Sequence, residues 1–226
     1  MIGTIVNTVS VIVGGLIGLV IKQGVSKRFS DIVMNGLALC VLYIGISGAL
    51  KGQNTMVVIF SIVIGAIIGE AIDLDKRVRN LGEFIEGKFK SGDKSVSIAE
   101  GFVTASLLFC VGAMTIVGSL QSGLTGNHEM LFTKSILDGV ASILFSASLG
   151  VGVLFSAAFV FIYQGSITLL AQFISPYLSE IVIAEMTCVG SLLIIGLGLN
   201  MLNVTKLKVM NYIPAIFLPI LIYLFM

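Results

Sequence analysis

The sequence predicts an all-α integral membrane protein, and three observations carry that expectation. Of the 226 residues, 57% are apolar and 11% charged, far below the roughly 25% charged residues of a soluble domain. The charges are clustered, leaving apolar runs of about 20 residues, the length a helix rising 1.5 Å per residue needs to cross a hydrocarbon core of roughly 30 Å. The runs are continuous and carry glycine at helical spacings, whereas a β-barrel would show short alternating segments.

About eight spans are expected, over residues 3–21, 32–50, 56–72, 101–120, 134–149, 151–174, 183–202 and 209–226. The first is read as a span and not a secretory signal, because no basic residue precedes its apolar stretch and no clear small-residue cleavage site follows. The stretch 131–174 is too long for one helix and just long enough for two, with a break near Gly150 and Gly152. That break decides between seven and eight spans.

Charge asymmetry decides for eight. Lys22, Lys27 and Arg28 follow the first span, and Lys76, Arg77, Arg79, Lys88, Lys90 and Lys94 follow the third. The positive-inside rule places both loops in the cytoplasm and the amino terminus outside. Eight spans then put Lys206 and Lys208 inside, leave 175–182, free of Lys and Arg, outside, and place both termini outside. The one sizeable hydrophilic segment, 73–100, is expected to be a cytoplasmic loop with an amphipathic helix through Leu81, Phe84, Ile85 and Phe89, its basic residues against anionic headgroups.

The ends of spans two and seven share a texture. Leu42-Tyr43-Ile44-Gly45-Ile46-Ser47-Gly48 parallels Leu193-Ile194-Ile195-Gly196-Leu197-Gly198, and each is followed by another span. An inverted-topology repeat accounts for this, as does a shared Gly, Ile and Leu composition.

Polar groups inside spans are costly, about 2.5–3.5 kcal/mol for a charge at the centre, so each needs a partner, a hydrated cavity or an interfacial position. Lys134 and Asp138 are four apart and share a helix face. They are either a structural ion pair or a cation or proton site at Asp138 compensated by Lys134. Asn7 lies at comparable depth, as a ligand or as a bond between helices. Glu70, on one face with Asp73, is either interfacial or a proton-binding group, and Glu185 carries the same ambiguity. The glycine-dense stretch from Cys110 to Gly126 favours local unwinding near Thr115 and Ser119, or close helix packing. Asn211, just before Pro214 and Pro219, is a weaker candidate.

Gly14 and Gly18, and Gly65 and Gly69, form faces for close helix approach that permit a homodimer. Cys40, Cys110 and Cys188 have no ligand spacing and read as packing residues. Nothing calls for a cofactor or metal: there is no HExxH and no phosphate-binding loop. Nucleic acid is excluded as a partner, since no basic run is interleaved with aromatics. Gly45-Ile46-Ser47-Gly48 matches the short pattern of intramembrane serine proteases, but the one histidine, His128, falls in an outer loop, so no enzyme is expected.

The segments Ser122-Gly123-Leu124-Thr125-Gly126, Lys134-Ser135-Ile136-Leu137-Asp138-Gly139 and Asn211-Tyr212-Ile213-Pro214-Ala215, with Asn7, Gly69-Glu70 and Asp73, resemble the YdfK/YqgA-like bacterial membrane proteins, a family of unknown function. The resemblance covers essentially the whole chain and implies a bacterial inner-membrane location. The expected function is a secondary transporter or channel for an ion or proton-coupled metabolite, with the lipid bilayer and the solute as partners. A non-transporting scaffold or regulatory subunit is the alternative.

Overall fold

The computed structural model describes residues 1–22, 27–77, 80, 98–111 and 113–225, all of it helix, turn or loop. In chain order the helices are α1 (Ile2–Lys22), α2 (Lys27–Ala49), α3 (Thr55–Ile72), α4 (Ile98–Cys110), α5 (Ala113–Leu124), α6 (Glu129–Leu149), α7 (Gly152–Leu169), the short α8 (Ala171–Ile174), α9 (Glu180–Met201) and α10 (Leu218–Phe225). A 3-10 turn, Ser175–Tyr177, precedes α9, and a 3-10 segment, Val209–Phe217, leads into α10.

Five of these helices are long and apolar enough to cross a membrane: α1, α3, α6, α7 and α9. A sixth crossing is available if α4 and α5, bent by 60° at a break of a few residues, act as one. The outward faces are oily. On α3, for example, Met56, Ile59, Phe60, Val63 and Ile67 are all exposed. Such a surface is stable only where hydrocarbon covers it.

Three expectations about span boundaries need correction. The span read as 101–120 is two helices that together reach from Ile98 to Leu124. The Thr115 hydroxyl donates to the Phe109 carbonyl across the break. The span read as 151–174 ends its long helix at Leu169 and continues only as the single turn of α8. The span read as 209–226 begins as 3-10 helix because Pro214 lies inside it, where proline cannot donate a helical hydrogen bond. The expected break near Gly150 and Gly152 is present, with Gly150 at φ 78°, a conformation glycine adopts without a Cβ clash. The amphipathic helix expected through Leu81, Phe84, Ile85 and Phe89 falls outside the described residues.

Close approaches at glycine fix the direction in which neighbouring helices run. α1 and α6 are parallel: Gly3 lies against Leu131, Gly14 against Gly139 and Gly18 against Ile143. α2 and α9 are antiparallel, with Gly45 against Ile195, Gly48 against Ser191 and Gly198 against Leu42. α3 is antiparallel to the 3-10 segment, with Gly65 on Ala215 and Gly69 on Asn211. The bent pair runs the length of α7 in the same sense, Gly101 lying beside Gly152 and Gly123 beside Thr168. Both glycine faces read from the sequence are therefore occupied within the chain.

Candidate functional site

Asp138 is the tenth of the 21 residues of α6, which places it about 14 Å along the helix from Glu129. Lys134, one turn earlier on the same face, sends its ammonium to Asp138 Oδ2 at 2.5 Å. The side chain of Asn7 on α1 donates through Nδ2 to the same oxygen at 2.9 Å. Lys134 is 5% exposed and Asp138 6%, and Asn7 is fully buried. A carboxylate accepts and never donates, so the nitrogen of Asn7 must face Asp138 and its carbonyl must point away. That carbonyl oxygen, Asn7 Oδ1, finds no partner among the described residues.

The parallel packing of α1 on α6 creates this arrangement. Small residues at Gly14 and Gly18 let the two backbones approach, with Ser142 and Ser146 facing them from α6. One turn of α1 before Asn7, Thr4 shares a 3.4 Å hydrogen bond with Thr168 of α7. Gln164, one turn along α7 from Thr168, is fully buried. Neither atom of its amide has a partner among the described residues. Ser119 of α5, next to the Gly118 that lies against Leu131 and Met130 of α6, is buried too, and its Oγ is unpartnered among the described residues.

The remaining candidates lie elsewhere. Thr115 is buried but uses its hydroxyl to tie the α4–α5 break. Glu185, fully buried on α9, accepts the backbone N–H groups of Gln53 and Asn54 through Oε1 at 2.8 and 2.6 Å. It holds the loop that opens α3, whose first turn is capped by the Asn54 side chain. Glu70, near the end of α3, has a side chain 62% exposed and paired with Lys208 at 2.9 Å. The hydrogen bond to Glu70 raises the pKa of Lys208 and keeps it charged. Asn211, buried at the start of the 3-10 segment, donates to Glu70 Oε2 at 2.5 Å and accepts from the Asp75 N–H at 2.7 Å. The structure thus joins Asn7, Lys134 and Asp138, and joins Glu70 with Asn211 at the opposite end of the bundle. His128 bonds to Ser122 and not to Ser47.

Sequence reading missed Gln164 and Thr168. The signal was present, a neutral amide in the middle of an apolar run, but a search for ionisable groups passes over it.

Between α4, α7 and the 3-10 segment lies an apolar cavity of about 210 Å³, lined among others by Phe102, Cys110, Phe159, Tyr163, Ile213 and Phe217. Its Cys110 lies within electrostatic range of both Lys134 and Asp138. Among the described residues no group of three or more His, Cys, Asp or Glu side chains is placed to hold a metal ion.

Fold and site together define a polytopic α-helical membrane protein with a charged, hydrogen-bonded cluster buried between its helices. Residues 2–224 match a family described as a protein of unknown function, DUF554, and the chain belongs to that family. It is 34% identical over 223 residues to the uncharacterized membrane protein YdfK of Bacillus subtilis (strain 168), covering 97% of this chain and 94% of the relative. It is 28% identical over 221 residues to the uncharacterized protein YqgA of Escherichia coli (strain K12), covering 96% and 94%. No solved structure matches.

Proposed function

We propose that this chain is a secondary transporter or channel for a small solute, an ion or a proton-coupled metabolite, with Asp138 and Lys134 at the centre of the path. The observation that carries the reading is the ion pair of α6 held inside the bundle with Asn7. Two charges buried in the middle of a membrane helix cost several kcal/mol relative to a well-packed apolar pair, a cost that a binding role explains.

Supporting it, the helix directions suit eight crossings with both termini outside. With the amino terminus outside and α4–α5 counted as one crossing, α1 and α6 both run inward, α2 opposes α9, and α3 opposes the last segment. Seven crossings would make both of the latter pairs parallel, against the glycine contacts. α2 and α9 also cross at their shared texture, Gly45 on Ile195 and Leu42 on Gly198, which is what a two-fold relation between halves requires. The name of the Bacillus relative favours a membrane location, and the basic segments after α1 and α3 favour their placement in the cytoplasm of a bacterial inner membrane.

On this reading the chain is not an enzyme, and its partners are the bilayer and the solute. A homodimer would use a surface other than the two glycine faces. The test is flux into proteoliposomes across monovalent ions, protons and small organic anions, with Asp138→Asn as the paired control. Flux abolished by that substitution in a folded protein supports the assignment, and flux equal to wild type removes it. The scaffold reading predicts no flux for any solute.

A further inference from the structure

The chemistry of the apolar cavity between α4, α7 and the 3-10 segment follows from helical spacing. On α4, Phe102, Ser106 and Cys110 recur every four residues and share one face, and on α7 Phe159 and Tyr163 do the same. The third wall turns at three residues per turn, so Met210, Ile213 and Ile216 stand one above another. All of these line the cavity.

The walls are largely aromatic. Phe102 and Phe159 meet edge to face at 6.1 Å, Phe159 stacks on Tyr163 at 6.2 Å, and Tyr163 leans on Phe217 at 6.5 Å. Among the described residues that line the cavity none is charged, so an ion entering it would lose its hydration with nothing in return. One polar group is left over. Ser106 is 5% exposed, and its Oγ has no hydrogen-bond partner among the described residues. Other buried hydroxyls in the bundle, those of Ser135 and Thr187, return to the carbonyl four residues back. A hydroxyl buried without such a bond is costly, and native interiors leave few of them.

The space sets the size of the occupant. An engineered cavity of about 150 Å³ with apolar walls binds benzene, so one of about 210 Å³ holds a benzene ring with one or two small substituents. A single water at Ser106, taking up about 30 Å³, would leave most of the wall without contacts. A saturated acyl chain would fill the space but bring nothing to the serine hydroxyl. It would also forgo the edge-to-face and offset contacts that aromatic walls offer another ring.

We propose that this cavity is a binding site for a neutral, single-ring aromatic molecule carrying a hydroxyl group, a phenol-class ligand, with Ser106 as its hydrogen-bond partner. The site stands apart from the transport reading, because neither Lys134 nor Asp138 lines it.

The experiment is fluorine NMR of the full-length protein in detergent, with 4-fluorophenol and fluorobenzene as probes. Saturable broadening of the 4-fluorophenol signal, reversed by excess phenol, is expected. Ser106→Ala keeps the cavity and removes one hydrogen bond, so 4-fluorophenol should bind about three- to tenfold more weakly while fluorobenzene is nearly unaffected. Ser106→Leu fills the cavity and replaces the orphaned hydroxyl with apolar atoms. It should melt no lower than wild type and bind neither probe. Partition of the probes into micelles is the same for every variant, so equal broadening in wild type and Ser106→Leu overturns the site. If Ser106→Leu does not fold, Ser106→Ala carries the test: a 4-fluorophenol affinity untouched by it overturns the ligand assignment. Displacement of the probe by added phospholipid gives the cavity to an acyl chain and overturns the proposal as well.

Discussion

Asn7 and Asp138, 131 residues apart in sequence, meet through one hydrogen bond of 2.9 Å inside the bundle, on the carboxylate oxygen that also holds Lys134. Replacing Asn7 with Leu removes that donor while filling the space. Hydrogen bonds to charged groups contribute about 1.5–3 kcal/mol, so Asn7→Leu should lower stability by that order, read as a fall in melting temperature in detergent.

The ion pair itself makes a prediction about non-additivity. Asp138→Leu strands the Lys134 ammonium in an apolar bundle and should cost about 3–5 kcal/mol, while Lys134→Met with Asp138→Leu should recover most of it. A double-mutant cycle on melting temperature checks the coupling. The double variant should fold and carry no flux, separating the role of the pair in binding from its role in holding helices together.

Glu185 should behave differently. Its carboxylate accepts two backbone N–H groups at the loop opening α3, so Glu185→Leu removes the acceptor that holds both. A loss of about 1.5–3 kcal/mol is expected, with faster hydrogen exchange at Gln53 and Asn54 and with solute selectivity unchanged.

Gly69 lies against the backbone carbonyl of Asn211, and any Cβ there overlaps main-chain atoms that cannot rotate away. Gly69→Ala should therefore cost at least the roughly 1–3 kcal/mol of an overpacked core. It should also separate Asn211 from Glu70, measurable by cysteine cross-linking between α3 and the 3-10 segment.

How far the sequence could be read depended on whether the relevant partner was local. Lys134 and Asp138 announce themselves, because four residues on a helix is a contact in any fold that keeps the helix. Asn7 stood out by depth alone, and its partner lies on a helix far along the chain. Glu185 was visible as a buried carboxylate, but its partners are backbone groups of a loop 131 and 132 residues away, which leave no side-chain signature. Glu70 and Asn211 were each legible as polar positions, yet their contact depends on α3 and the 3-10 segment running antiparallel. The bend between α4 and α5 was foreshadowed by glycine density. Its 60° angle is not something composition encodes.

The parallel contact of α1 with α6 also bears on biosynthesis. At translation rates of about 5–20 residues per second, the helix that supplies Asp138 emerges roughly 7 to 26 seconds after Asn7. During that interval the first helix carries an amide with no companion, already inserted or waiting beside the insertion machinery. Its final docking is an assembly step that follows insertion. A ribosome-stalled chain ending before residue 129 should therefore hold its amino-terminal helix loosely, and one extended past α6 should lock it.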